Sequence, residues 1–286
     1  MNATPALTLL SRRFPAKRVF ITGAGSGLGR ALALEFARAG WRLGLADIAA
    51  GRLEEAAAEL QAAGAGGVDR WVGDVASEPF VSAAIGEFCT RAGGIDVLVN
   101  NAGVAVAGAI DAVPPQDWRW IVDINLLGVA WGCRSAVPVM RKQRSGLVLN
   151  VASAAGFAAG PQMAAYNATK SAVISLSETL AAELLGTGIQ VSVAMPGFFS
   201  THLLKTMRAP PGASAAAHSL MDRSSHDATA AARALLQAAA EEKLHIVWPR
   251  EYRLAWRLKR LFPAWFVRRI AKLRDMQPAA ANPPRG

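Results

Sequence analysis

Cysteine is scarce in this sequence: Cys89 and Cys133 are its only two, and they lie far apart along the chain. Disulfide frameworks need several paired cysteines, and metal sites need ligands at short, regular spacings. We therefore predict no disulfide and no metal site, and interpret both cysteines as small apolar core residues. This cysteine usage fits a reducing, cytoplasmic compartment.

Long apolar runs are also missing, since no stretch reaches the roughly 20 apolar residues that a membrane-spanning helix needs. The short apolar stretch 5–10 precedes Ser11-Arg12-Arg13, whereas a signal peptide has its charges before its apolar residues. We expect residues 1–16 to form a flexible N-terminal tail. The chain as a whole is 52% hydrophobic and 18% charged, so it can bury a large core.

Continuous apolar runs alternate with helical patterns along most of the chain. The runs predicted as strands are 18–22, 42–46, 68–72, 95–99, 147–151 and 190–194. The helical patterns cover 28–39, 53–63, about 79–91 and about 164–185. Strands without polar alternation are buried on both faces. We predict an α/β fold over residues 17–250: a single-domain, Rossmann-like, doubly wound parallel sheet with helices on both faces.

An irregular segment, from residue 197 to about 225, interrupts this alternation. It contains Pro210-Pro211-Gly212, followed by small and polar residues. Because a long irregular segment in a compact domain is usually functional, we interpret 198–225 as a candidate lid that excludes water on closing. Residues 277–286 are rich in proline and alanine and are predicted to be a disordered tail.

The first predicted strand runs directly into a glycine-rich segment, and a helical pattern follows at once. Glycine permits tight turns and lets the backbone approach a pyrophosphate closely. The N–H groups and dipole of a helix N-terminus favour the same anion. We predict a dinucleotide site here, with a flexible turn as the alternative. Its cofactor-binding residues are Gly23, Ser26, Gly27, Leu28 and Gly29.

Asp47 ends the second predicted strand. A carboxylate there can accept hydrogen bonds from the adenosine ribose and would repel a 2′-phosphate, so it favours NAD over NADP. Arg30 and Arg52 are close in sequence and keep NADP open, and a plain turn role for Asp47 is a further alternative. Asp74, which ends the third strand, and Val75 after it are predicted to contact the adenine.

Tyr166 and Lys170 are four residues apart on a predicted helix and so share a face. A free tyrosine has a pKa near ~10, and a neighbouring ammonium lowers that pKa. Ser153 follows the strand 147–151, whose carboxyl end should meet the first turn of this helix at the ligand-binding rim of the sheet. Asn125 lies on the preceding helix. A chance surface pair is the alternative for Tyr166 and Lys170 taken alone.

In this order and spacing, the motifs resemble those of the classical short-chain dehydrogenase/reductase family over about residues 17–250. The resemblance rests on the glycine-rich segment, Asn100-Asn101-Ala102-Gly103, Asn125, Ser153, Tyr166-x-x-x-Lys170 and Pro196-Gly197. It implies an NAD(P)-dependent oxidoreductase that acts on CH–OH groups. It also implies a homo-oligomer, either a dimer or a tetramer.

The resemblance further implies a role for each matching residue. Tyr166 exchanges the proton with the substrate oxygen, Lys170 lowers the pKa of Tyr166 and binds the nicotinamide ribose, and Ser153 orients the substrate. Asn125 holds a water that links Lys170 to solvent, and the nicotinamide carries the hydride. The other implied cofactor contacts are Asn101, Ala102, Gly103, Pro196, Gly197 and Thr201.

The residues expected around the substrate are mostly apolar, with no arginine or lysine among them to bind a carboxylate or phosphate. They are Val104, Ala105, Ala107, Ala154, Ala155, Phe157, Met163, Phe198 and Phe199, with Ser153 and Tyr166 as polar contacts. We therefore predict a lipophilic secondary alcohol or ketone as substrate. For several of these residues an ordinary core position is the alternative.

The net charge of +10 is concentrated near the C-terminus, where residues 250–276 hold nine basic and two acidic side chains. Apolar and aromatic residues alternate with the arginines, and Pro263 should divide the segment into two short helices. We predict a basic amphipathic helical extension over 251–276. Packing over the pocket or a subunit interface and peripheral membrane contact through 250–276 are both open. Nucleic acid is not expected as a partner, since charge alone is weak evidence.

Two alternatives remain at the level of function. One is an NADP-dependent carbonyl reductase, and the other is a protein that senses NAD(H) without turnover. The complete set of Asn125, Ser153, Tyr166 and Lys170 argues against the second alternative.

Overall fold

The computed structural model describes residues 4–197, 206–210 and 227–275. Seven parallel strands form its central sheet: β1 (Arg18–Thr22), β2 (Arg42–Asp47), β3 (Gly67–Val72), β4 (Val97–Asn100), β5 (Gly146–Val151), β6 (Ile189–Pro196) and β7 (His245–Trp248). Their order in the sheet is β3-β2-β1-β4-β5-β6-β7. The first six lie at the predicted positions within two residues, whereas β7 was not predicted.

Helices follow the strands in the alternation that the sequence predicts. They are α1 (Pro5–Arg13), α2 (Gly27–Arg38), α3 (Ala50–Ala62), α4 (Glu78–Ala92), α5 (Pro115–Val122), α6 (Gly128–Gln143), α7 (Ala155–Ala158), α8 (Ala164–Glu183), α9 (Ala228–Ala240), α10 (Glu251–Leu261) and α11 (Pro263–Asp275). A π-helical turn, Asp123–Leu127, joins α5 to α6.

Both faces of the sheet are buried, because successive side chains of a strand point to opposite sides. In β1, Val19 and Ile21 belong to the core shared with α2, α3 and α9, while Phe20 belongs to the core shared with α4, α6 and α8. The second core is tightly packed: a Cβ on Gly44 would lie 2.5 Å from the Phe20 ring and 2.7 Å from the Phe88 ring. The predicted doubly wound sheet is confirmed.

The winding of the sheet reverses at its centre, where β1 pairs with β2 on one side and with β4 on the other. The connections that leave β1 and β4 therefore diverge to opposite faces of the sheet. A crevice opens beyond the carboxyl ends of these strands, at Thr22 and Asn100. In open α/β sheets, ligands bind at a switch point of this kind.

The N-terminal residues contradict the prediction of a flexible tail. Pro5–Arg13 form α1, which packs against α9, and Leu10 and Phe14 are each only 1% exposed. Trp41 donates a hydrogen bond of 3.0 Å to the Ser11 hydroxyl and meets the Phe14 ring edge-on. For the described part of the predicted tail 1–16, the prediction is wrong because α9, a helix from the far end of the domain, covers the buried face of α1.

Leu10→Ala is expected to lower the free energy of unfolding by about 2–5 kcal/mol, because it removes a buried side chain and leaves a cavity. Leu9 is the matched control on the same helix, since it is 45% exposed. Leu9→Ala should change the stability by less than about 0.5 kcal/mol. Urea unfolding of both variants measures the difference, and equal stabilities would contradict the packing of α1.

The basic C-terminal segment forms α10 and α11, which are separated at Phe262 as the proline predicted. α10 packs against β7 and α7. None of the helices in the described parts of the chain is long and apolar enough to cross a membrane. Most of the predicted lid (198–205 and 211–225) and the predicted tail 277–286 lie outside the described residues.

Candidate active site

Two polar side chains of α8 are buried at the carboxyl edge of the sheet. Tyr166 and Lys170 lie one helical turn apart and are 7% and 4% exposed. Lys170 Nζ lies 5.9 Å from the centre of the Tyr166 ring. It also donates a hydrogen bond of 2.9 Å to the carbonyl of Val151, the last residue of β5. The end of β5 thereby holds the Lys170 ammonium near the Tyr166 phenol. The two side chains share one face of α8, as their four-residue spacing predicts.

Ser153 follows β5 and hydrogen-bonds the Tyr166 phenol. The Ser153 Oγ accepts a hydrogen bond of 3.1 Å from the amide of Ala155, at the start of α7. It lies 3.5 Å from the carbonyl of Pro196, to which it donates. Residues from β5, α8 and β6 therefore converge on one hydroxyl–phenol pair.

Burial sets the acidity of both groups on α8. It raises the pKa of Tyr166 above the ordinary value of 10.0, and the hydrogen bond with Ser153 opposes this rise. Burial lowers the pKa of Lys170 from 10.5 to about 8. Lost solvation therefore outweighs the Ser153 hydrogen bond in setting the pKa of Tyr166. The lowering of this pKa by Lys170, which the family resemblance implies, stays a prediction. Near pH 7 Tyr166 is a neutral phenol and Lys170 largely keeps its proton.

Asn125 is completely buried on the π-helical turn between α5 and α6. Its side chain pairs with the backbone of Val104, accepting from the amide at 2.8 Å and donating to the carbonyl at 2.9 Å. A Cβ on Gly103 would lie 3.2 Å from Asn125 Oδ1 and 3.4 Å from Lys170 Nζ. The backbone at Gly103 thus brings Asn125 and Lys170 to one place, and π-helical turns are frequent at functional sites.

Thr169 belongs to this cluster, although sequence reasoning missed it. Its hydroxyl donates to the carbonyl of Tyr166 at 2.9 Å and accepts from Asn125 Nδ2 at 3.2 Å. Thr169 therefore holds the amide of Asn125 in place. No pattern in the sequence predicts a contact with the distant Asn125. The one available sign of a role in the site was the position of Thr169 directly before Lys170.

The glycine-rich segment leads from β1 into α2 along a path that glycine makes possible. Gly23 and Gly27 have φ angles of 64° and 52°, in the left-handed region. A Cβ on Gly29 would lie 2.2 Å from the carbonyl oxygen of Gly23, so the first turn of α2 rests directly on the loop. Asn101 Nδ2 closes the loop from the side by donating to that carbonyl at 3.1 Å.

The N-terminus of α2 completes this cradle. Ser26 precedes the helix without a side-chain hydrogen bond that caps it, so the first N–H groups of α2 face the crevice without that partner. Leu28 points into the core and contributes only backbone at the crevice. Close glycine packing and a helix N-terminus are what a pyrophosphate requires, so the residues present fit a dinucleotide.

Asp47 is joined to the glycine loop by direct hydrogen bonds. Its carboxylate accepts from the Gly25 amide at 2.9 Å and from the Ala49 amide at 2.9 Å. The side chain is only 6% exposed, and Arg52 Nη2 lies 3.7 Å from Asp47 Oδ1. Asp47 therefore stabilises its own turn and also lies beside the glycine loop. The Arg52 guanidinium lies close to its carboxylate.

The other predicted cofactor residues lie along the same edge of the sheet. Asp74 accepts a hydrogen bond of 2.9 Å from a backbone amide two residues further on, and Val75 is buried. The amides of Asn101 and Ala102 donate to the Thr22 hydroxyl at 3.0 and 3.1 Å, which ties the end of β4 to the end of β1. These hydrogen bonds stabilise the turns that follow β3 and β4. The turns hold Asp74, Asn101 and Ala102 at the carboxyl edge of the sheet.

Tyr166 is part of a group of packed apolar side chains, which we call the Tyr166 cluster. Its members are Val104, Ala105, Val106, Val113, Trp118, Trp120, Ile121, Ala155, Met163, Ala165, Tyr166 and Met207. Of the other residues expected around the substrate, Ala107 and Ala154 are only 2% and 4% exposed, and Phe157 is half-buried against the core shared with α4, α6 and α8. A core role and a substrate contact both stay open for these three residues. Phe198, Phe199 and Thr201 lie outside the described residues.

Met207 belongs to the Tyr166 cluster because the next residue, Arg208, is hydrogen-bonded to the segment that follows β4. Arg208 donates from its amide to the Ala105 carbonyl at 3.1 Å and accepts from the Ala107 amide at 3.0 Å. The Arg208 guanidinium lies 3.7 Å from the centre of the Trp120 ring. Sequence reasoning missed Met207, since this pairing links positions about a hundred residues apart.

The Pro196-Gly197 turn lies between the active site and the C-terminal extension. The Pro196 carbonyl accepts a hydrogen bond of 2.8 Å from the amide of Ala154. A Cβ on Gly197 would lie 2.5 Å from the Tyr252 ring. Glycine is needed here because the aromatic ring of α10 occupies the place of a side chain, so α10 borders the site.

The arrangement at the crevice can exchange a proton with a ligand oxygen. A neutral phenol, a hydroxyl that hydrogen-bonds it and a buried ammonium stand together beside the cradle. The described side chains contain no group of three or more acidic, histidine or cysteine residues that could hold a metal ion. A Rossmann-type sheet with a dinucleotide cradle and a buried phenol beside it fits a nucleotide-dependent oxidoreductase.

Comparison with known proteins gives the family. The model of the short chain dehydrogenase family matches residues 17–212, and the chain belongs to that family. The protein is accordingly an NAD(P)-dependent oxidoreductase that acts on CH–OH groups.

Individual relatives are similar in sequence and in structure. The 2-(R)-hydroxypropyl-CoM dehydrogenase of Xanthobacter autotrophicus is 38% identical over 184 residues, which are 63% of this chain and 74% of that protein. The 3-oxoacyl-(acyl-carrier-protein) reductase FabG of Staphylococcus aureus is 38% identical over 64% of this chain and 74% of its own length. A short chain dehydrogenase/reductase from Burkholderia phymatum in complex with NAD is 31% identical, with a TM-score of 0.80 over 94% of this chain and 98% of that one.

Proposed function

We propose that this protein is an NAD(H)-dependent alcohol dehydrogenase/ketoreductase that interconverts a lipophilic secondary alcohol and its ketone, with Tyr166 as general acid and base. One observation carries the proposal. The Tyr166 phenol is buried beside Ser153 and Lys170, at the crevice of the sheet and within an apolar cluster.

Residues at several strand ends would hold NAD. The glycine-rich segment 23–29 would hold the pyrophosphate, Asp47 the adenosine ribose, and Asp74 the adenine. Residues 101–103 and Lys170 would border the nicotinamide and its ribose. NAD supplies the hydride acceptor when bound, and NADH the hydride donor. The NAD complex of the Burkholderia phymatum relative supports this choice of nucleotide.

Tyr166 would hold and move the proton. Because burial raises its pKa, the phenol keeps its proton near pH 7 and can donate it to a carbonyl oxygen. In the reverse direction the phenol would first lose its proton through Lys170, and the resulting phenolate would accept the proton of the alcohol. Ser153 would hold the substrate oxygen beside the phenol and stabilise charge that develops there. The Lys170 ammonium would stabilise the phenolate left after donation. Asn125 would hold the water through which Lys170 exchanges protons with solvent.

The Tyr166 cluster supports an uncharged, lipophilic substrate. All its members are apolar or aromatic side chains. Ala105, Ala155, Met163 and Met207 come from different segments of the chain and pack in one cluster with Tyr166. The Arg208 guanidinium, which stacks on Trp120 of this cluster, already forms an ion pair with Asp117 at 2.9 Å. A carboxylate or phosphate placed among the apolar side chains would therefore be desolvated without a free partner, at a cost of several kcal/mol. A ketone or alcohol leaves only one oxygen to satisfy, and Ser153 and Tyr166 can do so.

A substrate panel tests the proposal directly. Secondary alcohols and ketones of increasing apolar size are compared with matched analogues that carry a carboxylate or phosphate, each with NAD(H) and NADP(H). The absorbance of the reduced nicotinamide reports turnover. We expect higher kcat/KM for the uncharged series and for NAD(H). Activity confined to charged sugars or acids would contradict the lipophilic site, and activity only with NADP(H) would favour the NADP-dependent alternative.

Asp47→Asn is expected to shift the ratio of kcat/KM towards NADP by about tenfold or more, because it removes the charge that would repel a 2′-phosphate. Arg52, 3.7 Å from the carboxylate, would then be free to meet that phosphate. Adding Arg52→Ala should therefore reverse most of the gain. Initial rates with both nucleotides measure the ratio, and an unchanged ratio in Asp47→Asn would show that Asp47 serves only the turn.

A further inference from the structure

A second surface, outside the catalytic site, lies on the two C-terminal helices. Leu254, Leu261, Phe262, Trp265 and Val267 are 64, 70, 57, 53 and 51% exposed. We call these five residues the C-terminal apolar surface. Single exposed apolar residues are common on soluble proteins, but a group of large ones within two short helices is typical of an interaction site.

The helices that present this surface are seated on the enzyme by their other side. Trp256 of α10 lies against His245 of β7, with ring centres 5.4 Å apart, and Tyr252 packs against Gly197. α11 packs back on α10, and its Phe266 is buried. The helix pair that carries the C-terminal apolar surface is therefore anchored on the enzyme, while the five residues themselves stay exposed.

Basic side chains accompany the apolar ones on both helices. Residues 250–272 contain Arg250, Arg253, Arg257, Lys259, Arg260, Arg268, Arg269 and Lys272, against the single carboxylate of Glu251. None of the ion pairs among the described side chains uses any of these eight cations. The partner of this surface must therefore combine an apolar phase with negative charge.

We propose that the C-terminal apolar surface docks the enzyme on an anionic phospholipid bilayer. The leucine and aromatic side chains would enter the headgroup region, while the arginines and lysines contact the phosphates. Short amphipathic helices rich in arginine and tryptophan lie in the plane of a membrane interface and do not cross it. This inference goes beyond the catalytic assignment and does not depend on the identity of the substrate.

Two other occupants fit the charges less well. A second copy of the chain in a two-fold interface would bring each basic surface against an identical one, and like charges repel. Segments of this chain outside the described residues offer no compensating charge: 276–286 has no acidic residue, and in 211–226 Asp222 is offset by Arg223. The homo-oligomer implied by the family resemblance stays a prediction and is not assigned to this surface.

Vesicle flotation of the full-length protein tests the proposal. Phosphatidylcholine vesicles with and without phosphatidylglycerol are compared, and binding is expected only to the anionic vesicles and to weaken with added salt. Arg268→Gln with Arg269→Gln should weaken partitioning on the order of 25-fold, at about fivefold for each neutralised arginine. Leu261→Ala with Trp265→Ala should weaken it on the order of tenfold or more, through lost apolar burial.

Matched control variants distinguish binding through this surface from non-specific binding of the protein to vesicles. Arg141→Gln with Lys142→Gln removes two exposed cations from α6, and Ile110→Ala with Leu185→Ala removes two exposed apolar side chains, which are 64 and 87% exposed. Both control proteins should bind like the unmodified one. Thermal melting confirms that every variant is folded.

Three results would overturn the proposal. The first is full-length protein that stays unbound with anionic vesicles. The second is unchanged binding of the Leu261→Ala, Trp265→Ala protein, which would reduce the contact to charge alone. The third is a lower oligomeric mass of that protein in analytical ultracentrifugation without vesicles, which would assign the surface to a subunit interface.

Discussion

Replacing Tyr166 with phenylalanine is expected to lower kcat by roughly 10²–10⁴-fold, the range that a positioned general acid or base contributes. The change removes one oxygen from a buried ring and leaves the glycine cradle and the Lys170 contact with Val151 untouched. The affinity for the nucleotide should therefore stay nearly constant. Initial rates from nicotinamide absorbance give kcat, and calorimetric titration with NAD gives the affinity.

The chain supplies a matched control for this variant, since Tyr252 is its only other tyrosine. The Tyr252 ring lies against Gly197 at the border of the site, yet it has no part in the proposed proton transfer. Tyr252→Phe keeps the ring and should keep kcat within about twofold, as expected of a change away from the reacting atoms. If both variants kept full activity, Tyr166 would not be the proton-transferring residue.

Gly29→Ala is expected to weaken NAD binding by on the order of tenfold to a hundredfold, with a matching rise in KM for the nucleotide. The added Cβ would lie 2.2 Å from the Gly23 carbonyl oxygen and 2.5 Å from Asn101 Nδ2. Because backbone atoms cannot move aside as a flexible side chain can, the loop must lift away from α2. The anion cradle would then lose its shape.

Two other helical glycines serve as controls for this substitution. A Cβ on Gly51 in α3 or on Gly86 in α4 would meet nothing within 4 Å. Alanine at these positions should leave NAD binding unchanged and raise the stability by about 0.5–1 kcal/mol, since alanine favours a helix. Calorimetric titration and thermal unfolding measure both effects. Equal NAD affinity in Gly29→Ala and Gly86→Ala would contradict the cradle.

The sheet could be predicted from the sequence because its signal is local. The run 147–151 became β5, Gly146–Val151, with one residue added, since every strand of a doubly wound sheet is buried on both faces and reads as a continuous apolar run. β7 was missed because its apolar core is short and is flanked by charged residues. The motif residues at the strand ends could be placed in one site from the fold class alone, because a parallel sheet brings the carboxyl ends of its strands to one edge.

The parts that were predicted wrongly depend on contacts between distant segments. Nothing in residues 5–13 shows that α9 will cover them, so α1 looked like a frayed tail. Met207 and Thr169 joined the site through pairings with residues far away in the sequence. Local patterns carry no signal for contacts of this kind.

The acidity of the site could not be predicted from the sequence for a related reason. The four-residue spacing of Tyr166 and Lys170 predicts that the ammonium lies near the phenol, and it does. Spacing does not report how completely both groups leave water. In the folded protein that loss of solvation raises the pKa of Tyr166 and lowers the pKa of Lys170 to about 8.

A crystal structure of the protein with NAD and a bound lipophilic ketone or alcohol would show which side chain exchanges the proton with the substrate. We expect the Tyr166 hydroxyl at about 2.6–3.2 Å from the substrate oxygen, with Ser153 Oγ on the same oxygen. A substrate oxygen held by other residues, with the Tyr166 hydroxyl turned away from it, would contradict the assignment of Tyr166 as acid and base.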